Sequence, residues 1–349
     1  MSLINTRLQA FRAVSPLDKW ETRAGRWGFL DLFQSQTDDP AGIITEDLVN
    51  KAIAAAGSQL QIPVIDYDAG VQVLNQTIPV NISGDPSVSQ LVNVNFVHYY
   101  FGFRIYPAAH YNNEISMQRE FAEQMRKHIF KLGDVLDNAG GAALELAKTQ
   151  VLRDDLGGRY ALVADTVEAP PAEADSFIGD INPLSSGNDF FGPKHVVANG
   201  SMESHIRNRL LEKGQFNSED KHYQFNDKIF HFSNNLANAA GHKATLFSVE
   251  AGSVGMLSQY APDCVMGNTT SKHTWGIEVL PILNMPIGVY GYEDAVDGSA
   301  VNGAASAQLT ATKMEAYGFH KAIAFLTPYN SAPATRPSAV MKGAIKSAA

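Results

Sequence analysis

From Ala52 to Phe103 the chain runs for 52 residues without a Lys or an Arg, and inside this stretch two β-type runs flank the turn Gly84-Asp85-Pro86. Val71, Val73, Ile78, Val80 and Ile82 precede the turn; Val92, Val94, Phe96, Tyr100 and Phe103 follow it. These are the residue types that extended strands favour. The pattern predicts a hairpin with arms Val71–Ser83 and Val88–Tyr106, reaching about 40 Å at roughly 3.3 Å per residue. An isolated two-stranded ribbon is marginal in water. The ribbon therefore needs support from outside itself, and the simplest support is a neighbouring copy.

The rest of the chain has the makings of a core. With 349 residues and 45% hydrophobic content, it can bury enough surface for two or three sub-domains. No run of about 18 apolar residues exists to span a bilayer. The start MSLINTRLQAFRAV lacks the apolar stretch and cleavage site of a secretory signal, so the chain is expected to stay in the cytosol. Cys264 is the only cysteine, which excludes an intrachain disulfide and a cysteine metal cluster and reads as a passive thiol.

Charge is segregated. Residues 1–30 carry five basic and two acidic side chains (+3), residues 302–349 carry five basic and one acidic (+4), and the net charge of −9 leaves −16 on residues 31–301. An acidic body disfavours broad adhesion to nucleic acid, which rests on Lys and Arg neutralising phosphates. The basic ends are expected to touch acidic surfaces of neighbouring copies; polyanion contact and simple solvation are the alternatives.

Residues 1–65 read as an arm, with Arg7, Arg12, Trp20, Arg23, Arg26, Trp27 and Phe29 scattered aperiodically. One helix stands out in it: Thr45 as N-cap, Glu46 and Asp47 in the first turn, Leu48, Ala52, Ile53 and Ala56 on one face, and Gly57 as the stop. Beyond Asn112-Asn113, Glu114 opens an amphipathic helix with Phe121, Met125, Ile129, Leu132 and Leu136 on its buried face. Gly133 is expected to bend it, with a second helical stretch over 134–152 in which Gly140 and Gly141 either weaken the middle or admit close packing. Residues 157–193 read as loop, 201–213 as a helix with Ile206, Leu210 and Leu211 inside, and 244–257 as a buried segment. Trp275, Ile277 and Val279, then Tyr317, Phe319, Ile323 and Phe325, alternate as strands do.

Motifs that carry chemistry are missing. Ten histidines raise the question of a metal, but no H-E-x-x-H or cysteine pair occurs, and His222, His231 and His242 are spaced too widely to share a helix face. No phosphate-binding glycine loop and no G-x-S-x-G elbow is present. Asp38-Asp39 and Asp154-Asp155 sit in turns, where Asp caps backbone. No catalytic, cofactor-binding or metal-ligating residue is assigned, and the chain is not expected to be an enzyme.

The order of the pieces (basic arm, long hairpin, amphipathic helix, mixed region, returning strands) resembles the major capsid proteins of tailed bacteriophages, the Hong Kong 97 type. The likeness is strongest in Gly252–Asp297 (GSVGMLSQYAPDCVMGNTTSKHTWGIEVLPILNMPIGVYGYEDAVD) and Leu309–Val340 (LTATKMEAYGFHKAIAFLTPYNSAPATRPSAV), which look like the C-terminal half of capsid proteins from phages of the Bacteroidetes group. The resemblance implies an α+β capsid fold: an N-terminal arm over 1–65, an extended E-loop hairpin over 66–103, a P-domain with its spine helix over 104–158, an A-domain over 159–305, and a returning P-domain strand and tail over 306–349.

It also implies a virion shell assembled in the bacterial cytoplasm from hexamers and pentamers of this chain. Scaffolding and portal proteins, a possible cement protein and packaged double-stranded DNA are the implied partners. Some relatives join subunits through an isopeptide bond from an E-loop Lys; residues 52–103 have none, so noncovalent contacts or a cement protein must serve. The N-terminal scaffolding segment of roughly a hundred residues found in some members has no counterpart in this sequence, which implies either a separate scaffolding protein or an upstream piece already removed. An encapsulin-like compartment is the nearest alternative, and a soluble enzyme with an unrecognised site is the alternative from another class.

Overall fold

A computed structural model describes residues 7, 27–37, 42–55, 59–65, 89–110, 114–148, 151–153, 155–212, 223–225, 228–267, 270, 273–296, 312–330 and 336–347. Its helices are α1 (Gly28–Thr37), α2 (Glu46–Ala55), α3 (Glu114–Ala147), α4 (Ala174–Ser186), α5 (Gly200–Glu212) and α6 (Pro262–Met266). The strands are β1 (Leu60–Ile65), β2 (Ser89–Val94), β3 (Val97–Ile105), β4 (Ala161–Val163), β5 (Thr166–Ala169), β6 (Lys194–Ala198) and β7 (Tyr223–Phe225), followed by β8 (Lys228–Phe232), β9 (His242–Glu250), β10 (Gly255–Gln259), β11 (His273–Leu280), β12 (Met285–Val296), β13 (Thr312–Leu326) and β14 (Val340–Lys346). The fold is α+β.

The strands form three sheets. β1 and β2 pair only with each other; β13 is flanked by β3 on one edge and by β12 and β10 on the other, with β11 outside β12; a seven-stranded mixed sheet runs β4-β5-β14-β9-β6-β8-β7. Because side chains alternate along a strand, Val197, Phe247, Val249 and Val340 face α1 and α3, whereas Val196, Ala198, Leu246 and Ile345 face α4 and α5. The seven-stranded sheet is thus covered on both faces, and its inner layer is continuous with the core beneath the five-stranded sheet.

The long helix is the backbone of that core. At 34 residues and 1.5 Å per residue it is about 50 Å long. Its expected apolar positions, Phe121, Met125, Ile129, Leu132 and Leu136, are all buried. They meet the inward face of the five-stranded sheet: Phe121 lies 4.9 Å from Tyr317 and 5.4 Å from Phe103, ring centre to ring centre.

Gly133 does not end α3: one helix runs unbroken from Glu114 to Ala147, where two helical stretches are expected. A side chain at Gly133 would collide with the Trp27 indole, and a Cβ at Gly141 would stand 3.0 Å from the Phe29 ring. These glycines let α1 lie close against α3, which is the packing alternative for Gly140 and Gly141. Each costs about 1 kcal/mol of helix propensity, less than the roughly 1.5–3 kcal/mol gained by burying a large apolar side chain.

Other expectations also need correction. The N-terminal arm contains α1, whose Phe29, Leu30, Leu32 and Phe33 are buried; four apolar residues in five are too short a run to show a helical period. Residues 157–193 are not loop throughout: they hold β4, β5 and α4, with Pro170-Pro171 leading in and Gly187 closing α4. Phe177, Ile178, Ile181 and Leu184 form the buried face, and the flanking turn residues mask its period. By contrast α2 starts as expected, with Thr45 Oγ1 accepting the Leu48 N–H at 3.3 Å. The helix expected over 201–213 is α5, with Ile206 buried; the side chains of Leu210 and Leu211 lie outside the described set.

The hairpin differs in register. Leu60 pairs with Val94 and Ile65 with Ser89, whereas a turn centred on Asp85 requires Ser89 to face Asn81. Gly84-Asp85-Pro86 and the run 71–83 lie outside the described residues. Residues 88–106 are not one arm either: β2 stays in the ribbon, and β3 leaves it to pair with β13 from Val97↔Ile323 to Ile105↔Glu315. Alternation identifies strands without fixing their partners. Sheet membership likewise redraws the expected segments: β10, β11 and β12, placed in the 159–305 unit, belong to the five-stranded sheet, and β14, placed with the returning strand, sits inside the seven-stranded one.

The basic ends find acidic partners within the chain. Arg7 is buried, its Nη2 3.0 Å from Glu315 Oε2 with side-chain exposures of 5% and 3%, and the Tyr317 hydroxyl donates to the same carboxylate at 2.6 Å. Lys342 pairs with Glu145 and Lys346 with Glu168. For these residues the expected contact with a neighbour is replaced by an internal one; Arg12, Arg23 and Arg26 lie outside the described residues.

Lys321 is the costly exception. It is 2% exposed, donates to the Pro286 carbonyl at 2.7 Å and stands 5.7 Å from the Tyr260 ring centre. Burial drives its pKa down to about 7. The unfolded chain then binds more protons between pH 7 and the ordinary lysine value of 10.5, so stability rises with pH across that window, by at most about 1.4 kcal/mol per unit. Lys321→Met is expected to flatten this slope and to stabilise the subunit by about 2–4 kcal/mol at pH 6. Urea unfolding at pH 6, 8 and 10 checks it; an unchanged slope contradicts the assignment.

Candidate functional site

The five-stranded sheet is covered by α3 on one side only, and alternation puts a second set of rings on the other. The Trp275 and Tyr290 ring centres lie 4.2 Å apart at 35°, those of His273 and Tyr292 lie 4.6 Å apart, and His273 Nδ1 is 2.7 Å from the Tyr290 hydroxyl. Tyr100, 70% exposed, lies across the floor formed by Gly102 and Gly318. A Cβ at Gly318 would stand 3.3 Å from Tyr100 and 3.4 Å from Tyr290, so the glycine keeps the shelf flat. A depression of ≈340 Å³ opens there, with Arg104 and Tyr292 on its rim. The alternation of Trp275, Ile277 and Val279 that marks β11 in the sequence belongs to this outward face.

A second surface lies where the hairpin joins the body. Ile44, Ala52, Leu60, Val94, Leu257 and Ala324 form a small separate core at the ribbon's root. Beside it runs an apolar groove of ≈590 Å³ lined by Ile43, Ile62, Val92, Leu146, Phe325 and Tyr329. Leu146 at the end of α3 is 86% exposed and Leu91 is 66% exposed. Aromatic shelves and clustered apolar residues of this kind are features of protein–protein contact surfaces.

Polar chemistry serves mainly to tie α1 in place. Asp137 Oδ1 accepts the Phe29 and Leu30 N–H groups at 2.8 and 3.1 Å, while Oδ2 accepts from Ser233 Oγ at 2.6 Å and Asn235 Nδ2 at 2.9 Å. A carboxylate on α3 thereby caps the N-terminus of α1. Burial pushes the Asp137 carboxyl above its ordinary pKa even with four hydrogen bonds holding it down.

Along α1, from its last turn back to its first, Gln36 Nε2 meets His195 Nε2 at 2.9 Å, His195 Nδ1 meets His231 Nε2 at 3.0 Å, and His231 Nδ1 meets Asp31 Oδ2 at 2.5 Å. The Gly252 N–H donates to Gln36 Oε1. With both rings neutral and protonated on Nδ1, every donor in this chain has an acceptor.

The other histidines have separate partners: His242 pairs with Glu168 and His205 with Asp175, and His98 stacks on His320. His222 lies outside the described residues. Among the described residues no group of three or more His, Cys, Asp or Glu is placed to hold a metal ion. Cys264 is buried, and burial pushes its thiol pKa up. Among the described residues no helix is long and apolar enough to cross a membrane.

No protein-family profile matches the chain, and no curated protein matches it in sequence. Solved structures do match it in shape. A structure from Mycobacterium phage Che8 aligns over 87% of this chain and 89% of its own at 12% identity, with a TM-score of 0.44. The capsid of Myoviridae phage XM1 aligns over 87% and 95% at 10% identity, with a TM-score of 0.42. The SrpI encapsulin complex of Synechococcus elongatus aligns over 83% of each chain at 9% identity, with a TM-score of 0.39.

Proposed function

We propose that this chain is the major capsid protein of a tailed phage, a Hong Kong 97 type subunit that closes into an icosahedral head around double-stranded DNA. The observation that carries the reading is the ribbon β1–β2: among the described strands it pairs only with itself, and its described Leu60 and Val94 join the body in a small core of their own. The resemblance of Gly252–Asp297 and Leu309–Val340 to capsid proteins supports it. In this reading the ribbon is the E-loop, α3 is the spine helix, the five-stranded sheet belongs to the P-domain and the seven-stranded sheet to the A-domain. The aromatic shelf and the groove beside Leu146 then face neighbouring copies, in interfaces that in permanent assemblies exceed about 2,000 Å². Scaffolding and portal proteins are the expected assembly partners.

The hairpin tests this. Replacing residues 67–87 with a short glycine linker keeps every rung from Leu60↔Val94 to Ile65↔Ser89. The variant is expected to fold with an unchanged melting curve and to stop at monomers or capsomers in electron micrographs. Normal particles from the variant would show that the hairpin is not what joins subunits.

A further inference from the structure

The row of hydrogen bonds that joins α1 to β6 and β8 has its direction fixed from one end. The Gly252 N–H is a backbone donor, so it holds the Gln36 oxygen toward itself and leaves the Gln36 NH₂ facing His195. His195 Nε2 must then accept, its Nδ1–H donates to His231 Nε2, and the His231 Nδ1–H donates to the Asp31 carboxylate. A ring nitrogen carries either one hydrogen or one lone pair, so all these contacts hold together in this arrangement alone. Gln36, His195 and His231 are buried, at 2%, 8% and 5% exposure, where water is not at hand to replace a broken contact.

We propose that this row is an acid-labile latch: one extra proton on either ring loosens α1 from the seven-stranded sheet. The inference is independent of the shell reading. A proton added to His195 sets its Nε2–H against the Gln36 NH₂. A proton added to His231 sets its Nε2–H against the His195 Nδ1–H. If His195 changes tautomer and Gln36 turns over to make room, the Gln36 NH₂ meets the Gly252 N–H, and a backbone amide cannot turn round. Wherever the proton settles, one buried donor is left facing another, and a buried donor without an acceptor is costly.

The surrounding charges do not undo this. Among the described residues α1 brings Asp31 to the rings, and α3 brings Asp137, held two residues along β8 at Ser233. β9 brings the apolar Phe247 and Val249, while Lys194 and Glu250, paired with each other, alternate to the opposite face. Asp31 attracts a proton to His231, but its side chain is 53% exposed, and an ion pair open to solvent returns less than a buried unpaired donor costs. The unfolded segment therefore takes the proton more readily than the folded one. The hold on α1 is complete above the ordinary histidine pKa of about 6.5 and is lost as the pH falls below it.

The test is hydrogen exchange of the purified full-length protein at pH 7.5 and pH 5.5, corrected for the intrinsic pH dependence of exchange. Protection of the α1 amides and of Gly252 is expected to fall about tenfold or more in the wild type at the lower pH. Gln36→Glu should reverse the response. Its carboxylate accepts from both the Gly252 N–H and a His195 Nε2–H, so the row is one proton short at pH 7.5 and acid supplies it. Asp137 is untouched by that substitution, so the difference between the two proteins belongs to the row. An equal fall in both proteins overturns the latch. If the variant does not fold, the wild type decides: protection at α1 and Gly252 that is the same at both pH values also overturns it.

Discussion

Phe121→Ala is expected to destabilise the subunit by about 3–5 kcal/mol, the usual cost of emptying a fully buried phenylalanine site. Phe121 has no exposed surface and fills the space between α3 and the rings of Phe103 and Tyr317. Those neighbours belong to β3 and β13, which are paired to each other, so the cavity cannot close by moving one strand alone. Against typical domain stabilities of about 5–15 kcal/mol, the loss should be visible as low soluble yield and failed assembly. Urea unfolding measures it directly; a variant that melts like the wild type would mean that the apolar stripe of α3 does not hold the sheet.

Asp137→Ala should cost a similar amount, about 3–5 kcal/mol, for a different reason. The carboxylate has no exposed surface and four donors converge on it. Removing it strands the first N–H groups of α1 and the side chains of Ser233 and Asn235 in the interior, and each buried unpaired group costs about 1–3 kcal/mol. Asp137→Asn is expected to lose roughly half as much, because an amide oxygen can still accept from Phe29 and Leu30 while its NH₂ meets the Asn235 donor. Hydrogen exchange at the Phe29 and Leu30 amides separates the outcomes: both should exchange faster in the Ala variant. Unchanged protection would show that α1 is held by packing alone.

How much of this was legible in the sequence depended on how far apart the deciding residues lie. The buried stripe of α3 and the capped start of α2 are set by neighbours three and four residues away, and both were readable. The close packing at Gly133 was not, because it depends on Trp27, more than a hundred residues earlier. The partner of β3 was unreadable for the same reason: a strand's own alternation is satisfied equally by a ribbon and by the edge of a sheet. Arg7, Glu315 and Tyr317 likewise meet across some three hundred residues, so net charge by segment assigns Arg7 to a neighbouring copy although its partner lies within the same chain. The outward aromatic face lay in plain view as Trp275, Tyr290 and Tyr292, but alternation alone does not say which of two faces meets the core.

The central claim is that identical copies of this chain close into a shell, with the hairpin lying on a neighbour. Cryo-electron microscopy of the purified full-length protein tests it most directly. The account predicts hollow, closed particles whose walls resolve into hexamers and pentamers, with density from one subunit's ribbon crossing the next. A uniform population of small oligomers of fixed size, with the ribbon folded against its own chain, would contradict it.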